Sequence, residues 1–433
     1  MTKQHWYRNT MLFAMLFAVL FACAACIGKT PEYDQDLPIF EGCKEQVAHP
    51  FGSHPQKYTK KSILPEVPQD EMDAVVAAFY DGWKQRYLKT GAPCAKGHYY
   101  IKFDKNQTTV SEAHGYGMLT MVYMAGYDPD AQKIFDGMYR FFRAHPSSNS
   151  SDLLAWRQDL ECKERPGDAS SATDGDLDIA YALLLADRQW GSAGEVNYRV
   201  EARKVIRAIM EYEVNASSEY LLIGDWATSS DVHLNGTRGS DFMPGHLEAF
   251  TADDVDGLKG SFAKLTKRTY QIFKEVRHPE TGLIPDFIVS PLKNPQPGDG
   301  FLEHSDDRWG YNSCRIPWRI GVHYLLTGSK DALDILTPIT QWIEKESGGV
   351  PEGIKANYSL DGVPLHDYED MCFIAPFAVG AMIDAKHQSF LNNLWESLAT
   401  WDPWGYYADS LRLLSMIAVS GNWWTPELSD CDD

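Results

Sequence analysis

Basic residues are in short supply. Only 40 lysines and arginines stand against 60 aspartates and glutamates, giving a formal charge of −20 over 433 residues. That balance excludes nucleic acid as a partner, because no basic patch remains to neutralise phosphates. No apolar run reaches the ~20 residues that a membrane-spanning helix needs. Beyond the first 26 residues there is no C-x-x-C pair and no cysteine–histidine cluster at zinc spacing. Low-complexity tracts, sequence repeats and strand-like alternation are also scarce.

What the chain does have begins with a leader. Lys3 and Arg8 precede the apolar run Met11–Ala22, and small residues and cysteines follow. Residues 1–26 therefore read as a signal peptide. Ala24-Ala25-Cys26 has the form of a bacterial lipoprotein cleavage site, with Cys26 the lipidated residue, and Phe21-Ala22-Cys23 is a second candidate. The expected location is the outer membrane or cell surface, with secretion as the alternative. The lipid anchor is then the only expected contact with a membrane. Residues 27–66 lack periodicity and read as a tether and lead-in. Export permits disulfides among Cys43, Cys94, Cys162, Cys314, Cys372 and Cys431, although sequence cannot pair them. Cys314 and Cys372 fall in apolar helical runs and are expected as buried free thiols.

From Gln69 the pattern turns helical. Met72, Val75, Val76, Phe79, Trp83 and Tyr87 line one helix face. Further helices are expected at roughly 111–126, 130–144, 175–190, 197–214, 262–277, 315–328, 330–347, 371–384, 387–401 and 406–420. Short connections such as Thr327-Gly328-Ser329 make antiparallel pairs. Met371–Ile383 and Tyr406–Val419 are apolar almost all round, so they belong inside, with amphipathic partners outside. Residues 67–433 thus read as one all-α domain of helical hairpins around a centre, expected as a monomer. Three long irregular stretches, 145–172, 222–245 and 282–312, are candidates for function.

Two acidic knots stand where polar loops become apolar helices. One is Ser111-Glu112-Ala113-His114-Gly115-Tyr116-Gly117-Met118, and the other is Ala172-Thr173-Asp174-Gly175-Asp176-Leu177-Asp178. Ser111 is a natural N-cap, which puts Glu112 in the first turn. Thr173 or Asp174 can cap the second helix. The two glycines beside Tyr116 are costly in a helix unless backbone or substrate must come close. Asp-x-Asp-x-Asp has calcium-loop spacing, but the ligand expected nine residues on is Asp187 in an apolar helix, so calcium is discounted. Carboxylates aimed into one cavity from two helix starts suit acetal cleavage, where one acid protonates the leaving oxygen and another activates water. That chemistry needs no metal or cofactor.

These segments resemble glycoside hydrolase family 8, over about Gln69 to Trp424. Ser111–Met118 is similar to the stretch carrying that family's proton donor, and Ala172–Asp178 to its second acidic signature. Tyr311-Asn312-Ser313-Cys314-Arg315-Ile316-Pro317-Trp318-Arg319-Ile320 is similar to the third, and Tyr406–Ser415 to the last inner helix. The resemblance implies an (α/α)6 barrel, inversion at the anomeric carbon and endo attack on β-1,4-glycans. It implies Glu112 as proton donor and Asp174 as the acid gripping the sugar at the cleavage point. Trp156 becomes a stacking platform, with Tyr116, Tyr311, Asn312 and Arg315 as further sugar contacts. Many members have Asp where this chain has Asn312, and an amide cannot take a proton from water. The resemblance then implies a base from the preceding loop, Glu303, with Asp306 and Asp307 in reserve. A β-1,4-glucan, cellulose or mixed-linkage, is the expected substrate. Chitosan is the alternative, and a glycan-binding lipoprotein without catalysis is the reading from another class.

Overall fold

The structure is a computed structural model that describes residues 47–427, apart from Pro166, Ser218 and Glu303. The leader with Cys26, the cysteines Cys43 and Cys431, and Glu303 lie outside the described residues. Among the described residues, twelve long helices and a one-turn one follow one another: α1 (Gln69–Tyr87), α2 (Ser111–Tyr123), α3 (Ala131–Ala144), α4 (Thr173–Trp190), α5 (Tyr198–Ala208), the one-turn α6 (Asp231–Leu234), α7 (Pro244–Asp253), α8 (Lys259–Val276), α9 (Ile316–Thr327), α10 (Lys330–Glu346), α11 (Met371–Ala381), α12 (Gln388–Thr400) and α13 (Tyr406–Val419). Helices α2, α4, α7, α9, α11 and α13 form an inner ring, each packed on the next, with α13 closing onto α2. Each inner helix is backed by the outer helix that follows it, and α13 by α1. This is the (α/α)6 barrel.

Side-chain pattern decides which helix goes where. Every residue of α11 is buried, as is all of α2 except Glu112. Helix α3 instead buries one stripe, Ile134, Phe135, Met138, Phe141 and Phe142, and turns its charges outward. Helix α7 was not legible. It begins at Pro244-Gly245 and mixes His246, Glu248 and Thr251 with few large apolar residues, so no stripe marks it.

Inner and outer helices alternate in antiparallel hairpins, so the inner helices all start at the same end. The long loops precede inner helices and gather at that end. They carry short antiparallel strands: β1 (Leu88–Thr90) with β2 (Tyr99–Ile101), β3 (Thr109–Val110) with β4 (Arg157–Gln158), and a sheet of β5 (Gly236–Arg238), β6 (Phe287–Val289) and β7 (Gln296–Pro297). A disulfide between Cys94 and Cys162 ties the β1–β2 connection to the loop before α4. Cys314 and Cys372 are free and buried, as their apolar setting predicts.

The opposite end is closed by residues 47–66. The N–H groups of Phe51, Thr59 and Ile63 donate to the carbonyls of Ala125, Leu325 and Met382 at 2.8, 2.7 and 2.9 Å. These are carbonyls just at or past the ends of α2, α9 and α11, which lack partners within their helices. The described part of the lead-in thus caps the barrel.

Glycines set how closely α2 and α4 approach. A Cβ on Gly175 would lie 2.6 Å from the Ser111 carbonyl carbon, and one on Gly115 2.6 Å from the Asp178 Cβ. The costly glycines of the first knot therefore serve helix packing, not substrate. Gly175→Ala must push the two helices apart, because backbone cannot swing away. We expect a stability loss of about 1–3 kcal/mol, the usual cost of overpacking, read by denaturant unfolding, together with a fall in turnover.

Candidate active site

The starts of two inner helices, α2 and α4, converge on one guanidinium. Arg315, which leads into α9, is 1% exposed. Its Nη1 donates to Glu112 Oε2 at 3.0 Å and to Asp174 Oδ2 at 2.7 Å. Its Nη2 donates to Ser240 Oγ at 2.7 Å and to Asn312 Oδ1 at 3.2 Å. A second arginine, Arg238 on β5, reaches Asp174 Oδ1 at 2.9 Å and Asp241 at 2.7 Å. Tyr406, first residue of α13, donates its hydroxyl to Glu112 Oε1 at 2.9 Å.

The two carboxyls are pushed in opposite directions. Burial raises the Glu112 pKa above the usual carboxylate range, Arg315 pulls against it, and the Asp174 charge adds to the rise. The stabilising pull of the helix start on an ionised acid is outweighed here by burial. Burial also works against ionised Asp174, but Arg238 and Arg315 together outweigh it and hold that carboxyl well below its ordinary value. The arrangement favours the protonated form of one acid and the charged form of the other, the environment-driven division of roles seen in acid–base sites. The Glu112 side chain is 17% exposed, against 4% for Asp174, so the first is the more open of the two.

Neighbouring loops build the rim. Trp156 is 40% exposed, with the Arg157 guanidinium 4.5 Å from its ring centre. Its carbonyl accepts the Ser111 N–H at 2.7 Å, which fixes Trp156 to the start of α2. Tyr311 is 38% exposed and donates to Asp370 Oδ2 at 3.2 Å. Asn312 is partly exposed, and its oxygen is assigned by the Arg315 bond, which leaves the amide N–H₂ as a donor. Buried Asp286 holds this turn: its Oδ1 accepts the N–H groups of Gly310, Asn312 and Ser313 at 3.0, 3.1 and 2.7 Å, and the Ser313 hydroxyl at 2.6 Å.

The family described as Glycosyl hydrolases family 8 matches residues 71–421. The chain belongs to glycosyl hydrolase family 8. It is 46% identical to a β-glucanase of Niallia circulans, over 87% of this chain and 91% of that protein. It is 34% identical to an endoglucanase of Bacillus sp. (strain KSM-330), over 95% and 94%. Among solved structures it is similar to the apo β-1,3-1,4-glucanase of Paenibacillus sp. X4, with a TM-score of 0.83 at 46% identity, covering 87% of this chain and 99% of that one.

Several expectations about this family 8 hydrolase need correction. Ser111 is not a cap: it is the first helical residue, and its hydroxyl has no hydrogen-bond partner because it packs against Gly175. Neither Thr173 nor Asp174 caps α4, since Thr173 donates to the Leu222 carbonyl and Asp174 is held by the arginines. Tyr116 is not at the surface. One turn below Glu112, it points into the barrel, with its hydroxyl 3.4 Å from Arg315 and its ring beside Trp318. Arg315 is likewise covered, and it organises the carboxyls. The three aspartates of the second knot also part company. Asp178 pairs with Arg319 at 2.7 and 2.6 Å, and Asp176 turns away from both. Of the reserve bases, Asp306 is buried and accepts the Leu302 N–H at 2.6 Å, while Asp307 is exposed in a separate depression with His278 and Asp361. Arg238, Ser240, Asp241 and Asp286 went unnoticed in the sequence, and Tyr406 was marked only as the start of the last inner helix. The long loops holding the first four were the only signal.

Proposed function

We propose that this family 8 hydrolase cleaves β-1,4-linked glucan within the chain, with inversion. Glu112 is the proton donor, Asp174 grips the sugar at the cleavage point, and Glu303 activates water. The observation that carries this reading is the opposed pair on Arg315: a partly open Glu112 whose burial favours its proton, beside a covered Asp174 kept ionised by two arginines. Trp156 and Tyr311 offer exposed rings on which sugar faces stack. The β-glucanase, the endoglucanase and the β-1,3-1,4-glucanase similar to this chain support a glucan, mixed-linkage glucan included.

Asn312 orients the attacking water through its free N–H₂ and takes no proton. Glu303→Ala should therefore abolish turnover on lichenan and carboxymethyl-cellulose, whereas Asn312→Ala should reduce it only partly. Proton NMR of fresh product should show the α-anomer first. A fully active Glu303→Ala variant, or β-anomer first, would overturn this assignment. Running chitosan and xylan beside the glucans decides the substrate.

A further inference from the structure

Behind the reacting residues lies an acid pair that the chemistry above does not use. Asp176 on α4 and Glu213 are both fully buried. Glu213 ends a π-turn, Ile209–Glu213, that continues α5. Such turns are rare, and they tend to occur where a side chain must be re-aimed for function. Here the turn brings Glu213 against α4. Asp176 Oδ1 accepts the Leu154 N–H at 2.9 Å, and Glu213 Oε1 accepts the Ser171 hydroxyl at 2.5 Å. The remaining oxygens, Asp176 Oδ2 and Glu213 Oε2, are buried without any donor. The two side chains are within hydrogen-bonding reach of each other. Two acceptor oxygens can bond only through a proton.

We propose that Asp176 and Glu213 share one proton and act as a positioning pair, clamping the loop that carries Trp156 to α4. Leu154 and Ser171 flank Trp156 on that loop, so each end of the platform is held by one member of the pair. The charged groups around the pair reinforce proton sharing. Asp225 accepts the Ser171 N–H at 2.9 Å from the segment after Glu213, and Asp174 stands two residues before Asp176 on α4. Both are acidic, and the guanidiniums of Arg238 and Arg315 are already committed to Asp174. Burial, then these neighbouring carboxylates, raise the titration of the shared proton well above the usual carboxylate range. Loss of the shared proton sets two buried charges against each other and frees the Trp156 loop. A group whose folded pKa is raised makes the folded state bind more protons than the unfolded one, so stability falls as pH rises.

The consequence for sugar binding rests on the reading that Trp156 meets the glycan, and two measurements separate the claims. The first is the melting temperature of the intact protein between about pH 6 and pH 9. It should fall more steeply in the parent than in Glu213→Gln, whose amide donates to Asp176 at every pH. The second is cellohexaose affinity by calorimetry in a Glu112→Gln background, which removes the donor's own titration. Affinity should weaken about tenfold or more over that range in the parent, one pKa unit's worth of linkage, and stay within about twofold with Glu213→Gln added. Asp176→Asn, which gives the same bond from the other side, should reproduce both results. Glu213→Ala should bind weakly at every pH. Identical pH slopes in parent and amide variants would overturn the proposal. If cellohexaose binds at no pH, the glucan reading fails and the melting slopes alone decide whether the proton is shared.

Discussion

Glu112→Gln is expected to lose at least about 10²-fold in kcat, the usual worth of a general acid, while retaining its affinity for glucan. The substitution keeps shape and the contacts with Tyr406 and Arg315 sites but has no proton to give. As the proposed donor, the same residue should fix the alkaline limb of the pH profile. Burial raises its pKa, and Asp174 adds to that rise. A donor works only while protonated, so kcat should fall as pH climbs through this raised value. Asp174, held low by Arg238 and Arg315 against burial, stays ionised across the working range, so the acidic limb belongs to the base. Initial rates on lichenan across pH, for parent and Glu112→Gln, test both statements. Near-normal turnover in the variant would remove Glu112 from the mechanism.

Arg315→Met should be the most damaging single change at the protein level. One nitrogen of this buried guanidinium serves Glu112 and Asp174, and the other serves Ser240 and Asn312. Removing one partner of a buried ionic network leaves uncompensated charge, which costs about 3–5 kcal/mol. Arg238 continues to hold Asp174, so the variant should fold at reduced stability in urea or guanidinium unfolding. Both carboxyls lose a cation that favours their charged forms, so both pKa values rise. Residual activity should then persist to higher pH than in the parent, at a kcat lower by two orders of magnitude or more, in line with about 10²–10⁴-fold effects at acid–base sites. The stability profile changes too. Parent Asp174, with its depressed pKa, contributes stability that is present at neutral pH and lost as pH falls. The variant should lose much of that acid-side dependence. Lysine cannot substitute, because a point charge cannot reach four partners from one fork. An Arg315→Met protein with parental stability and an unmoved pH profile would show that the guanidinium does not set the carboxyl pKa values.

Sequence alone determined the helical class, because period-3.6 apolar spacing survives without any knowledge of neighbours. It picked out inner helices wherever composition was extreme: Met371–Ile383 and Tyr406–Val419 are apolar almost all round. It marked Glu112 and Asp174, because an acid at the polar-to-apolar boundary of a helix is a local signal, and the family resemblance supplied their roles. Tertiary structure decided what depends on groups far apart in the chain. Glu112, Asp174 and Arg315 meet across separations of 141 and 203 residues, and only that meeting sets which carboxyl keeps its proton. It also decided that Gly115 and Gly175 serve the closeness of α2 and α4, that Tyr116 supports Arg315 from below, and that α7 exists. Helix α7 is inner, short and opened by Pro244-Gly245, so burial on all sides holds it where amphipathic periodicity cannot. Arg238, Asp286 and Glu213 stayed invisible for the same reason, as did the partners of Asp176 and Tyr406. Their chemistry lies in partners brought close by the barrel, and no local pattern encodes a partner.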